Sequence, residues 1–181
     1  MGTAVSDAKE EVIELVCSDS VLIACVGTEL RSDDRAGLEV CRKLKELGVG
    51  GHARLIECEF GLETCVDRIA EERPKRLVVV DAVLTTEGGK AGEVVVAKLE
   101  DVVEGFLATT HNVPLRMTVR YLRALGCCEE VYVLGVVVKN LDFGEELSPE
   151  VVEGVEKLVN DLAEALSSCG KDRVGRDEHC R

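Results

Sequence analysis

The chain has 181 residues and a net charge of −13, and it is 46% hydrophobic but only 3% aromatic with no tryptophan, so its core is built from Val, Leu, Ile and Ala. That length suits a single domain, residues 1–181, able to bury roughly 70% of its unfolded surface. The acidity argues against a nucleic-acid partner, whose phosphates it would repel, and no stretch approaches the ~20 apolar residues of a membrane span. The acids within Met1–Asp19 are unlike a secretory signal, so a cytoplasmic location is expected; a monomer is a separate expectation.

In chain order, Ser6 can cap an extra amino-terminal helix, within residues 1–19, whose apolar positions are Val12, Ile13, Leu15 and Val16. Val21–Gly27 reads as a buried strand, and the polar loop Thr28–Asp34 leads from it into a helix. Gly37, Val40, Cys41, Leu44 and Leu47 mark the inner face of that helix, and Gly48 stops it. Ala53–Phe60 is a second strand. Leu62, Cys65, Val66 and Ile69 face inward on the next helix, which Pro74 closes. Leu77–Val83 is the third strand: four apolar residues, three of them β-branched, run into the carboxylate of Asp81, the pattern of a strand covered on both faces.

Gly92–Leu99 reads as a strand only about ten residues further on, too close for a parallel crossover, so it should run antiparallel. Asp101–Leu107 is expected to be a short helix. After Thr109–Leu115, Pro114 suits the first turn of a helix carrying Leu115, Val119, Leu122 and Leu125, ended by Gly126. Glu130–Val138 is the last strand. Ser148 and Pro149 open a final helix with Val151, Val155, Leu158, Leu162 and Leu166 on one stripe. Residues 170–181 have no apolar pattern and read as a flexible tail, despite the potential metal pair His179-Cys180. This alternation predicts an α/β fold, a three-layer α/β/α sandwich.

The nine cysteines include no C-x-x-C pair, so zinc-ribbon and thioredoxin readings lack their spacing. Cys25, Cys41, Cys58 and Cys65 fall within strand or helix patterns and are expected to be small buried hydrophobes.

Three polar landmarks fall near strand ends, where ligands gather in open α/β sheets. Asp33-Asp34 follows the first strand, Asp81 the third, and His111 precedes the helix after the fourth. Two carboxylates and an imidazole form an oxygen and nitrogen set suited to nickel or zinc. Each also has a plain structural reading: Asp33 or Asp34 as a helix cap, Asp81 as an acceptor for the next loop, His111 as a surface residue.

Cys25–Gly37 (Cys-Val-Gly-Thr-Glu-Leu-Arg-Ser-Asp-Asp-Arg-Ala-Gly), the strand ending Val80-Asp81-Ala82, and Thr109–Leu115 (Thr-Thr-His-Asn-Val-Pro-Leu) resemble the nickel–iron hydrogenase maturation endopeptidases. The branch most resembled processes the large subunit of the formate-hydrogenlyase hydrogenase. The resemblance runs from about Val21 to Leu166 and implies a five-stranded mixed sheet with one antiparallel strand. It implies that Asp34, Asp81 and His111 bind nickel and carry catalysis, the nickel arriving with the substrate and no cofactor being tightly held. The implied activity is removal of a carboxyl-terminal extension from a hydrogenase large-subunit precursor after nickel insertion. This chain departs from the family pattern at Thr28 (usually Asn), Arg35 (usually Gly), Glu57–Gly61 (usually an Asp-Gly-Gly-Thr/Ser turn) and Gly135–Val138 (often Gly-Ile-Gln-Pro).

Two readings from other classes compete. A phosphoacceptor receiver domain would use Asp33-Asp34 for magnesium, Asp81 as the phosphorylated residue, Thr109 or Thr110, and Lys139. Its acids, however, would lie at the strand end rather than beyond it, and His111 would have no role. A nickel-sensing assembly chaperone would keep the three ligands without catalysis.

Overall fold

A computed structural model describes residues 8–49, 53–85, 88–102, 107–109 and 112–169. Its elements are α1 (Ala8–Val16), β1 (Val21–Gly27), α2 (Ala36–Glu46), β2 (Arg54–Glu59), α3 (Val66–Glu72), β3 (Arg76–Thr85), β4 (Val94–Lys98), β5 (Leu107–Thr109), α4 (Asn112–Ala124), β6 (Glu130–Val137) and α5 (Pro149–Cys169). Single 3-10 turns, Ser32–Arg35 and Leu62–Cys65, precede α2 and α3.

Five strands lie in the order β2-β1-β3-β6-β4, with only β4 antiparallel to its neighbour. Every residue of β1 is buried, as its unbroken apolar run requires of a strand covered on both faces. Alternation along the strands divides the core between those faces. Ile23, Cys25, Val78 and Val80 pack with α1, α2 and α5 through Val12, Val40 and Val155. Leu22, Ala24, Leu77 and Val79 pack with α3 and α4 through Ile69 and Val119. The predicted stripe of α5, from Val151 to Leu166, is buried throughout.

Several expectations change. The third strand, expected over Leu77–Val83, continues to Thr85, because the short antiparallel strand β5 takes up its edge beyond the end of β1. The helix expected over Asp101–Leu107 is not found in its described residues, since Asp101 and Val102 form a turn and Leu107 begins β5. Leu47 and Leu125 are exposed, at 59% and 40%, because each lies just past its helix, where the chain leaves the core. α3, by contrast, closes before Pro74 as expected: it ends at Glu72 and is capped by Arg73, which is left-handed with φ 46°.

The cysteine expectation is also corrected. Cys25 pairs with Cys41, Cys58 with Cys65, and Cys17 with Cys169, their Cα atoms 6.0, 5.6 and 5.2 Å apart. These are distances a disulfide spans. Burial was read correctly for the first four, but they are buried as bridges. Cys127 and Cys128 are buried free thiols. Ser6, His111, the 170–181 tail and its Cys180 lie outside the described residues.

Candidate active site

Asp34 is carried by the 3-10 turn between β1 and α2, and its side of the sheet is tightly built. A Cβ on Gly27, the last residue of β1, would meet the Asp34 carbonyl oxygen at 2.3 Å. A Cβ on Gly37, in the first turn of α2, would meet the carbonyl oxygens of Val26 at 2.2 Å and Val80 at 2.6 Å. Glycine at both positions lets the acidic turn and α2 press onto β1 and β3 beside Asp81.

The paired acids do different things. Asp33 is fully buried, and its carboxylate accepts hydrogen bonds from the backbone N–H groups of Lys139 (3.2 Å), Asn140 (2.9 Å) and Ser148 (2.6 Å), and from the Ser148 hydroxyl (3.0 Å). Asp34 is 3% exposed, and its carboxylate accepts no hydrogen bond from any described residue. Asp33 is therefore committed to the fold, while Asp34 remains available to a substrate.

The loop after β6 braces the acidic loop along its length. Asp33 N–H donates to the Asn140 carbonyl at 3.1 Å, Ser32 N–H to Gly144 at 2.8 Å, and Gly144 N–H to Leu30 at 3.1 Å. Arg35 donates to the Glu145 carbonyl, and the Arg31 guanidinium lies 5.7 Å from the Phe143 ring centroid. Ser32, at φ 25°, holds an uncommon backbone conformation within this bracing. Arg35, a departure from the family pattern, is thus a strut. Thr28 likewise has a local role, since its hydroxyl accepts the Leu30 N–H at 3.3 Å in a turn of the kind Asn also makes.

Asp81 is fully buried in β3, and its Oδ1 accepts the Ala82 N–H at 2.8 Å. It lies opposite Gly135 of β6 and shares a strand face with Val79 and Val83, which pack against α4 through Leu115 and Val119. Thr109 of β5, two residues before His111, pairs with Val83, two residues after Asp81. The described residues thus hold Asp34 and Asp81 at one edge of the sheet. Among them no group of three or more His, Cys, Asp or Glu could hold a metal ion.

Other acids nearby are engaged. Burial opposes ionisation of Glu57, but hydrogen bonds and charge from Lys45 and Arg42 hold its carboxyl below the usual range. Arg42 also hydrogen-bonds Glu29, which raises the guanidinium's already high pKa. A groove of 570 Å³ runs beside α4, lined by Arg116, Met117 and Arg120, and includes neither Asp34 nor Asp81.

The HycI hydrogenase maturation protease family model matches residues 39–165. The chain belongs to this family of endopeptidases. It is 31% identical over 153 residues to a protein of Methanocaldococcus jannaschii assigned to the hydrogenase maturation proteases, covering 81% of this chain and 88% of that one. It is 30% identical to the hydrogenase 3 maturation protease of Escherichia coli K12, over 78% of this chain and 87% of the relative. Among solved structures, the HycI protease of Thermococcus kodakarensis superposes with a TM-score of 0.73 at 28% identity, over 87% of this chain and 99% of that one. The solution structure of HycI from E. coli gives 0.69 at 28% identity, over 80% and 90%. The five-stranded mixed α/β sheet is the fold of these maturation proteases. No helix among the described residues is long and apolar enough to cross a membrane.

Sequence reasoning picked out Asp34 only through the resemblance and missed that Asp33 is clamped by partners more than a hundred residues away. It also missed the bracing by Arg31, Arg35 and Phe143, for which no local motif exists.

Proposed function

We propose that this chain removes the carboxyl-terminal extension of a nickel–iron hydrogenase large-subunit precursor, reading the nickel already seated in that precursor. The observation that carries the proposal is the state of Asp34: a nearly buried carboxylate with no hydrogen bond from a described residue, at the same sheet edge as the buried Asp81. A carboxylate held this way favours a cation arriving with its own ligands. Asp34 and Asp81, with His111 as the third ligand expected from the sequence, would engage the nickel and so register the scissile peptide in the cleft. One of the carboxylates can then serve as general base toward water. Nickel is here part of the substrate, and two carboxylates and an imidazole would bind it weakly without the softer thiolates of the precursor. A soluble cytoplasmic enzyme acting as a monomer fits this role, with three disulfides of a kind that cytoplasmic proteins carry chiefly in hyperthermophiles.

The receiver reading is disfavoured by two observations. Asp33 is consumed by four hydrogen bonds, and the Lys139 ammonium pairs with Glu150 at 2.8 Å. The test is cleavage of matched precursors with and without nickel by chelator-treated enzyme. Cutting only the nickel-loaded form is expected. Equal cutting of both would remove nickel sensing from the mechanism, and binding without cutting would favour the chaperone.

A further inference from the structure

Three of the exposed large apolar side chains belong to the loops around the acids. Leu30 is 57% exposed in the loop that bears Asp34, Phe60 is 55% exposed just after β2, and Phe143 is 83% exposed in the loop after β6. Solitary exposed apolar residues are ordinary, but a group surrounding a functional edge marks a contact surface. We propose that Leu30, Phe60 and Phe143 form an apolar rim that grips the precursor polypeptide flanking its scissile bond, and that Phe60 determines which precursor is accepted. The proposal rests on the protease reading above and extends it to the substrate.

Phe60 carries the argument. Its backbone is left-handed, at φ 70°, a conformation that crowds any bulky side chain and that glycine adopts freely. Its ring stays more than half in water, so the fold recovers little from burying it. Yet the turn is built to hold it there. Phe60 N–H donates to the Gly27 carbonyl at 2.8 Å, and the Thr64 hydroxyl lies 3.1 Å from the Glu59 carbonyl oxygen and 2.8 Å from that of Gly61. The Cys58–Cys65 disulfide closes the turn on either side. A rigid turn that presents an aromatic ring to solvent at a cost to folding is preorganised for a partner.

The other two side chains ride on one unit. Gly144 N–H donates to the Leu30 carbonyl at 3.1 Å, and Arg31 stacks on Phe143. The occupant follows from topology. The three loops leave β1 and β6, which flank β3, and β2, which lies beyond β1, at the edge where Asp34 and Asp81 lie. A polypeptide that reaches those acids over the loops of β1, β2 and β6 passes the rim. The departure of Glu57–Gly61 from the family turn then becomes a substrate determinant of this chain.

The experiment compares Phe60→Gly and Phe143→Ser with the wild-type chain, using a nickel-loaded large-subunit precursor. Cleavage gives KM and kcat, melting gives stability, and titration of a nickel-free precursor, which is expected not to be cut, onto the same chains gives binding without turnover. Phe60→Gly is expected to raise KM about tenfold, which is 1.4 kcal/mol of lost binding, with kcat nearly kept and the melting temperature equal or higher. Phe143→Ser should weaken binding while lowering the melting temperature only slightly, by no more than the worth of one exposed cation–π brace to Arg31. A purely structural Phe60 would instead lower the melting temperature and leave KM alone, and that result overturns the rim. If the wild type cuts no precursor but binds it, and the rim variants weaken that binding, the proteolytic reading fails and the rim stands. Binding that both rim variants leave unchanged overturns the rim whatever the cleavage result.

Discussion

Ser148 gives both its backbone N–H and its hydroxyl to the Asp33 carboxylate, at 2.6 and 3.0 Å, joining the start of α5 to the acidic loop across 115 residues of sequence. This contact separates two acids that are neighbours in the chain. It fixes Asp33 as a structural clamp and thereby holds Asp34 at the sheet edge.

Asp33→Ala should therefore destabilise the chain by about 3 kcal/mol, because several partly buried donors lose their acceptor together. Asp34→Asn should cost under about 1 kcal/mol, since no described donor depends on its carboxylate. Activity should nevertheless collapse in Asp34→Asn, and Asp81→Asn should behave similarly if its amide oxygen keeps the Ala82 N–H bond. Urea unfolding beside precursor cleavage reads both quantities. Near-normal processing by Asp34→Asn or Asp81→Asn would remove that residue from the mechanism.

Gly37→Ala sets two effects against each other. Alanine gains up to about 1 kcal/mol in helix propensity, but its Cβ would lie 2.2 Å from the Val26 carbonyl oxygen and 2.6 Å from that of Val80. Both contacts are with backbone, so the helix itself must move, and overpacking of this kind costs about 1–3 kcal/mol. Destabilisation should win, with slower cleavage as the acidic turn shifts. A variant that melts higher than the wild type would show that α2 has room the geometry denies.

Cys17–Cys169 ties the segment after α1 to the end of α5 across a sequence separation of 152. In the chain-entropy picture, closing such a loop stabilises by about 5 kcal/mol, and removal of native bridges typically costs about 2–5 kcal/mol. The double variant Cys17→Ser, Cys169→Ser should melt markedly lower than the wild type under non-reducing conditions. It should still process precursor at moderate temperature, because the bridge lies outside the proposed site. Equal melting of the two chains would mean that this bridge does not form in solution.

Burial, the neighbouring Cys127 charge and a hydrogen bond with Cys127 push the Cys128 thiol from about 9 up to about 12. With the folded value raised, the unfolded thiol loses its proton first as pH rises. The stability this group contributes is complete below pH 9 and is lost as pH climbs toward 12. The fall in stability over that window should be shallower in Cys128→Ala, measured by urea unfolding at stepped pH. At pH 8, alkylation of the native chain should spare Cys128, because thiol reagents attack the thiolate. Rapid labelling of Cys128 in the folded chain would contradict its burial.

Much of the fold was legible in the sequence because its signals are local. Unbroken β-branched runs identify strands covered on both faces, and the short spacing before β4 forces that strand to run antiparallel. The apolar stripe of α5 could be read residue by residue. Asp34 and Asp81 stood out as candidates through their positions relative to strands and through the resemblance of the motifs around them. What only the tertiary structure decided depends on partners far away in the chain. Cys25 looked like packing because nothing within its strand reveals that Cys41 of α2 lies across from it. Asp81 looked like a strand end until β5 took the edge that β1 leaves free and carried β3 further. Asp33 and Asp34 were told apart in the sequence only by the resemblance, and it is the loop before α5, reaching Asp33 and not Asp34, that makes one a clamp and leaves the carboxylate of the other without a described hydrogen-bond donor.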